Sequence, residues 1–218
     1  MTRARLAALA TAALVPAAVL AGCADSGYRY VKNSSDGAYF KVPDSWELFR
    51  VEEDDTAPTD RPEALDLGGE APWIVVFDGS PEPALSHAQE AAPDHPVGLA
   101  QVFPLSSGER DGISLAGVRS LALDGEADPL ELISQGNPAI EPIAYEDITT
   151  DAGLRGSRIV FNQQLSDGTW ITVDHTALLD AATQRLYRFV VRCSSTCFKA
   201  HESEIDAVVA SWRIEKDG

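Results

Sequence analysis

The side chains able to do chemistry in this sequence are four histidines, several acidic runs and a set of arginines spaced along apolar segments. His87 and His95 stand in a polar stretch, where surface placement is expected and two imidazoles alone do not complete a metal site. His175 differs. Alternation along 170–179 puts it on the side of Ile171, Val173, Ala177 and Leu179, where a lone histidine is expected to be a hydrogen-bonded core residue; Asp174 falls on the other side and cannot orient it. Glu52-Glu53-Asp54-Asp55 and Asp124-Gly125-Glu126-Ala127-Asp128 offer oxygen ligands for calcium. The second lacks the glycine and terminal glutamate order of a calcium loop, and Asp128 is better used as a helix cap. No nucleophile elbow, His-Glu-x-x-His, phosphate-binding loop, dinucleotide fingerprint or haem-attachment motif occurs, so no catalytic residue, metal ligand or cofactor is assigned. The richest remaining group is Arg158, Asn162, Asp174, Arg188 and Arg192. Each sits on the polar side of its own segment, and together they could form one face for an anionic or glycan ligand or for a partner. The competing reading is a set of cross-strand ion pairs on an exposed sheet face.

The cysteines depend on the first segment. Residues 1–22 carry Arg3 and Arg5 ahead of an Ala-, Leu- and Val-rich run, the anatomy of an export signal. Leu20-Ala21-Gly22-Cys23 resembles the lipobox of bacterial lipoproteins. That resemblance implies cleavage between Gly22 and Cys23, a diacylglyceryl thioether on Cys23, and an extracytoplasmic protein anchored to the bacterial cell membrane through that lipid. Cys193 and Cys197 then remain, and outside the cell such an isolated pair is expected to form a disulfide whose short loop fixes a turn. The alternative, a redox or metal pair, is weaker: redox motifs favour Cys-x-x-Cys, and a metal needs more ligands than the nearby His201.

The elements that must position these residues are framed by charge. The chain of 218 residues is 44% apolar with net charge −17. This is enough apolar residue for one core, and the acidity argues against nucleic acid and against electrostatic docking on anionic lipid. The acidity is local: residues 44–151 hold 24 acids and four bases, whereas 152–218 hold eight of each. Residues 23–37 read as a lipidated tether and turn, 52–72 as a long acidic surface loop, and 38–218 as a single globular domain, expected to be monomeric. Strands are expected at 38–42, 46–51, 73–77, 97–105 and 143–149. A meander follows at 154–164, 170–179 and 185–193, joined by short turns. Helices are expected at 82–92, at 114–122 behind Ser114, after Asp128-Pro129-Leu130-Glu131, and over about 199–210.

Phe40-Lys41-Val42-Pro43-Asp44-Ser45-Trp46 and the ending Ile205–Ile214, with its Ser211-Trp212-Arg213-Ile214, resemble actinobacterial lipoproteins of the PsbP-like class. The resemblance covers both ends of the mature chain and the strand order between, but not the acidic middle. It implies an α+β fold, an α/β/α sandwich around a mostly antiparallel sheet, and no catalytic residues. The function expected is that of a lipid-anchored, non-enzymatic envelope protein acting through protein–protein contacts with an envelope partner. The rivals are a carrier or receptor for a small envelope lipid or glycan, using an apolar cleft between sheet and helices, and an envelope hydrolase. The lipobox has a direct test: Cys23→Ala is expected to leave the protein unprocessed or to release it from membranes, read by cell fractionation. Unchanged processing and membrane retention would refute the anchor.

Overall fold

The computed structural model describes residues 27–51 and 71–215. The signal segment, Cys23 and the acidic run Glu52–Asp55 lie outside the described residues.

Long β-branched and aromatic runs build the main sheet. β3 (Glu47–Val51), β4 (Trp73–Asp78), β5 (Val97–Pro104), β6 (Ile140–Thr149), β7 (Arg155–Gln164), β8 (Trp170–Leu179) and β9 (Arg185–Ser194) assemble in the order β3-β4-β5-β9-β8-β7-β6, every pair antiparallel. The meander arises as its short turns require: Leu165–Thr169 and Asp180–Gln184 leave no length for a crossover. β6 starts earlier than the pattern predicts and carries a bulge between Pro142 and Ala144, where proline has no N–H to give to the ladder.

A second sheet replaces the expected tether from Tyr28 onward, residues 23–26 lying outside the described residues. β1 (Tyr28–Asn33) pairs with β2 (Ala38–Pro43), and β10 (Arg213–Ile214) pairs with the other edge of β2. Tyr28, Tyr30 and Lys32 alternate with Arg29, Val31 and Asn33, and this period of two sends Val31 into the core. Only the polar stretch 34–37 behaves as a turn, closed by Gly37 at φ 69°.

The helices are short, and caps decide them. Ser106 and Glu109 form a reciprocal capping box that starts α1 (Ser107–Gly112), a helix the hydrophobic pattern does not announce. Ser114 caps α2 (Leu115–Ser120) as expected, through the Gly117 N–H at 3.0 Å. Asp128 caps α3 (Pro129–Ser134) through the Leu130 N–H at 3.0 Å, but Glu131 accepts from Gln135 rather than reaching back. The helix expected at 82–92 is only a 3-10 turn over 85–89, in a segment punctuated by Pro81, Pro83 and Pro93. The terminal helix is two pieces, α4 (Ser195–Ala200) and α5 (Glu202–Val209), broken at His201.

Layering follows. On one face of β4, β5 and β9 lie the β1–β2 hairpin and α5, which bury Phe40, Val42, Phe77, Phe189, Val191, Ile205 and Val208 together. On the other face, α2 and the 3-10 turn at 121–123 cover Phe103, Ala177, Leu179 and Leu186, while α3 adds partly buried leucines over Ile159, Phe161 and Val173. The fold is α+β with antiparallel sheets. Phe40 is the pin between the layers, its ring centroid 5.3 Å from that of Phe189, 5.6 Å from Phe77 and 6.2 Å from Trp212. Gly98 permits this packing: a Cβ there would run into the Phe77 ring and the Val190 carbonyl. Phe40→Ala is expected to cost about 3–5 kcal/mol in urea unfolding. Tyr30→Ala, one strand away but 65% exposed, should stay within about 0.5 kcal/mol. Equal costs would contradict the layering.

Candidate functional site

Strand alternation alone cannot say whether polar sides of neighbouring strands coincide; the register does. Asp174 stands opposite Val160 on β7 and Val191 on β9, Arg158 opposite Thr176, and Asn162 opposite Thr172. Arg188 stands opposite Ala177 and Gln101, and Arg192 opposite Val173 and Val97. The five residues expected on one polar face therefore divide. Arg158, Asn162 and Asp174 lie on the α5 side, while Arg188 and Arg192 lie on the opposite side with His175. A shift of one residue in pairing inverts a strand's faces, and this is the information single-strand patterns lack.

Neither group is an open ligand face. On the α5 side, Arg158 grips Asp174 in a fork, Nε to Oδ1 at 3.0 Å and Nη2 to Oδ2 at 2.6 Å, with Asp206 of α5 4.0 Å away. Asp174 is 1% exposed. Burial pushes its carboxyl up, against the pull of Arg158, and the hydrogen bond to Asp174 holds the Arg158 guanidinium above its ordinary value. Beside them the Thr172 hydroxyl donates to Asn162 Oδ1 at 2.7 Å, with Ser195 Oγ 3.0 Å away, and Asn162 Nδ2 reaches Glu141 at 3.2 Å.

On the other side Arg188 is buried. Its Nε donates to His175 Nε2 at 3.2 Å, Nη1 to Gln101 Oε1 at 3.3 Å and Nη2 to the Leu121 carbonyl at 2.7 Å. His175 is the core histidine expected. Burial, then the Arg188 charge, drives it well below its ordinary pKa, so it stays neutral and accepts at Nε2. Arg192 ties down the loop before β5 through the carbonyls of Ala88 (2.8 Å) and Ala91 (3.1 Å).

His87 is half-buried and serves Asp78, a fully buried carboxylate that accepts from His87 Nδ1 at 2.7 Å and from the N–H groups of Ser80 and Ala84 at 2.8 and 2.9 Å. His87 and His95 line one small hollow of about 270 Å3. The other ring nitrogen of His87 faces the Glu90 carboxylate at 3.9 Å, and the Ser80 hydroxyl, which lines the same hollow, accepts from the Glu82 N–H at 3.2 Å. Asp78 escaped sequence reading because it ends an apolar strand and its partners come from the following loop. The second calcium candidate is used structurally, Asp128 being held by Arg119 at 2.6 Å while it caps α3. Among the described residues, no group of three or more His, Cys, Asp or Glu is placed to hold a metal. Cys193 and Cys197 are bonded to each other across the β9–α4 junction, as expected.

What remains outward-facing is a strand edge and a hairpin. β6 ends the main sheet; eight of its ten residues are exposed, among them Ile143 at 56% and Tyr145 at 41%. The outer side of β1–β2 presents Tyr28, Tyr30, Lys32, Tyr39 and Lys41 beside an open groove of about 670 Å3. Sequence reading missed both as surfaces, although the alternation of tyrosine and lysine in 28–41 was a usable signal.

No family model and no curated protein matches this chain. Among solved structures it is similar to cyanobacterial PsbP (CyanoP) from Synechocystis sp. PCC 6803, at 14% identity and TM-score 0.48 over 92% of this chain and 100% of that one. It is also similar to LpqN, involved in cell envelope biogenesis of Mycobacterium tuberculosis, at 15% identity and TM-score 0.48 over 88% and 94% of the two chains. At these scores neither likeness says what the chain does.

The Arg158–Asp174 pair yields a test with a definite sign. Arg158→Met leaves a buried carboxylate without its counter-ion, and is expected to cost about 3 kcal/mol at neutral pH, the low end for a buried pair because water reaches Arg158. Asp174 then binds a proton more tightly folded than unfolded. The cost is therefore full above its folded pKa and shrinks as pH falls toward the ordinary carboxylate range near about 4. Adding Asp174→Leu should restore most of the loss. A pH-independent cost in urea unfolding would contradict the assignment.

Proposed function

We propose that the protein is a lipid-anchored, non-enzymatic accessory protein on the extracytoplasmic side of a bacterial cell membrane, working by protein–protein contact through the edge strand β6. The observation that carries this reading is β6 itself. It is a ten-residue strand at the end of a seven-stranded sheet, with its outer backbone edge unpaired among the described residues. Natural sheets blunt such edges or use them, since an open edge accepts another strand. Ile143 and Tyr145 supply apolar contact, and Glu141, Glu146 and Asp147 supply negative charge. The acids disfavour pairing of β6 with a second copy of itself and favour a basic extended segment of another protein, which gives the acidic middle of the sequence a use beyond solubility.

The rivals have less support. A carrier needs an enclosed apolar cleft; the space between the main sheet and the hairpin and α5 is filled by Phe40, Phe77, Phe189, Val191, Ile205 and Val208, and the groove between the hairpin and α5 is open to solvent. A hydrolase needs a nucleophile beside a base, and the polar clusters on both faces of the sheet are taken up by their own hydrogen bonds.

A photo-crosslinking side chain at Tyr145 in intact cells is expected to capture a specific envelope protein. Joint reversal of Glu141, Glu146 and Asp147 to lysine should slow that association several-fold, with wild-type association falling as salt rises. At physiological ionic strength the screening length is about 8 Å, so these charges act chiefly on encounter. The reversal removes the Asn162–Glu141 hydrogen bond and sets a lysine opposite Arg158, so a loss of about 1–2 kcal/mol is expected, and a cooperative urea unfolding transition shows that the fold is kept. Capture that ignores both salt and the reversal, or that comes only from positions remote from β6, would overturn the reading.

A further inference from the structure

We infer that the segment added along β6 is a strand that alternates basic with apolar residues, its basic side chains on the α5 side of the sheet and its apolar ones on the side of α2 and α3. The inference rests on the proposed use of β6 as a docking edge and states the chemistry the partner must bring. The register sorts β6 into two sides. Glu141, Ala144 and Glu146 stand opposite Asn162, Val160 and Arg158, and so lie on the α5 side. Pro142, Tyr145 and Asp147 stand opposite Phe161, Ile159 and Ser157, and so lie on the side of α2 and α3.

The two sides differ in charge. On the α5 side the sign alternates from strand to strand: Asp174 on β8, Arg158 on β7 and Glu146 on β6. Arg158 is held in a fork by Asp174, with Asp206 of α5 a further 4.0 Å contact. Glu146 therefore ends the ladder with an exposed carboxylate at the edge of the sheet, and Glu141 adds a second. The rest of the chain offers little to offset them: residues 52–70 and 216–218, outside the described residues, hold nine acids and two cations. A strand added beyond β6 places one side chain directly opposite Glu146 at about 5 Å between Cβ atoms, the spacing Arg158 has on the inner side. A lysine or arginine there is the next rung of the ladder.

On the other side a cation gains less. Asp147 already accepts from the Tyr145 hydroxyl at 2.5 Å, and the Arg119 guanidinium, paired with Asp128 at 2.6 Å, lies close enough to act on both. An arriving cation would meet an engaged carboxylate and a resident arginine, whereas an apolar side chain meets the exposed Tyr145 ring, which continues a row from Ile159. Because strand side chains alternate, basic residues on the α5 side place every intervening residue on the Tyr145 side. The pattern holds for a strand running in either direction.

The probe is a short synthetic peptide alternating lysine with valine, titrated at physiological salt against the purified protein in detergent. Fluorescence anisotropy reads its affinity, and a photo-crosslinking side chain at the exposed Ile143 reads its place. The peptide is expected to crosslink at Ile143. Glu146→Gln should weaken binding about three- to fivefold, the worth of one cross-strand charge pair, and Asp147→Asn by less than about 1.5-fold. Glu146→Lys should lose the lysine peptide and gain the same peptide with glutamate in place of lysine. A cooperative urea transition shows that this variant folds, and Glu146→Gln carries the test if it does not. A peptide that crosslinks at Ile143 but responds equally to Glu146→Gln and Asp147→Asn overturns the inference and leaves β6 standing as the docking edge. A peptide that does not crosslink there also overturns it, while capture from Tyr145 in cells tests the edge itself separately.

Discussion

Two-sided burial of β8 and β9 is the constraint from which the rest of the structure follows. These strands lie inside a seven-stranded sheet with the hairpin, α4 and α5 on one side and α2, α3 and the 3-10 turns on the other. Any polar side chain on them is therefore removed from water on whichever face it emerges, and must find its partners within the protein. Asp174 finds Arg158; Arg188 finds His175, Gln101 and a main-chain carbonyl of the helical layer; Thr172 finds Asn162 and Ser195. What looks like a binding constellation along the sequence is the internal wiring of a doubly covered sheet. Arg188 also crosses layers, since its hydrogen bond to Leu121 fastens the helical side to the sheet through a group that cannot lose its charge.

The same constraint explains where sequence reading succeeds. Trp170–Leu179 was legible to the residue, because a run bounded by Ser166-Asp167-Gly168 and by Asp180 leaves only one strand length. The caps Ser114 and Asp128 were legible because capping is a local hydrogen bond. The core role of His175 was legible from its apolar neighbours, and the Cys193–Cys197 bond from the cysteine count together with the expected export signal. Relative parity between strands was not legible. It depends on the pairing Asp174↔Val191, a long-range property that no single strand encodes, and so Arg188 and Arg192 were assigned to a face they do not share with Arg158. β1 was hidden by its short length between polar residues, and α1 by a capping box that needs no hydrophobic stripe.

Once the interior polar groups are accounted for, two outward features of different composition stand out among the described residues. β6 is acidic, long and at the end of the main sheet. The hairpin is aromatic and basic, and begins five residues after Cys23. They lie on different sheets. The acids of β6 and the lysines of the hairpin thus stand on separate surfaces, and net charge misleads when it is read as one number.

Amide hydrogen exchange, compared between the protein in native envelope membranes and the same protein purified in detergent, tests the central claim most directly, because it works without identifying the partner. The account predicts added protection at alternate amides of β6, those pointing out of the sheet, with β8 and β9 equally slow in both states because they belong to the core. Unchanged exchange along β6, with new protection instead around Arg158 and Asn162 or around Arg192, would show that a polar cluster is the working site and would contradict the account.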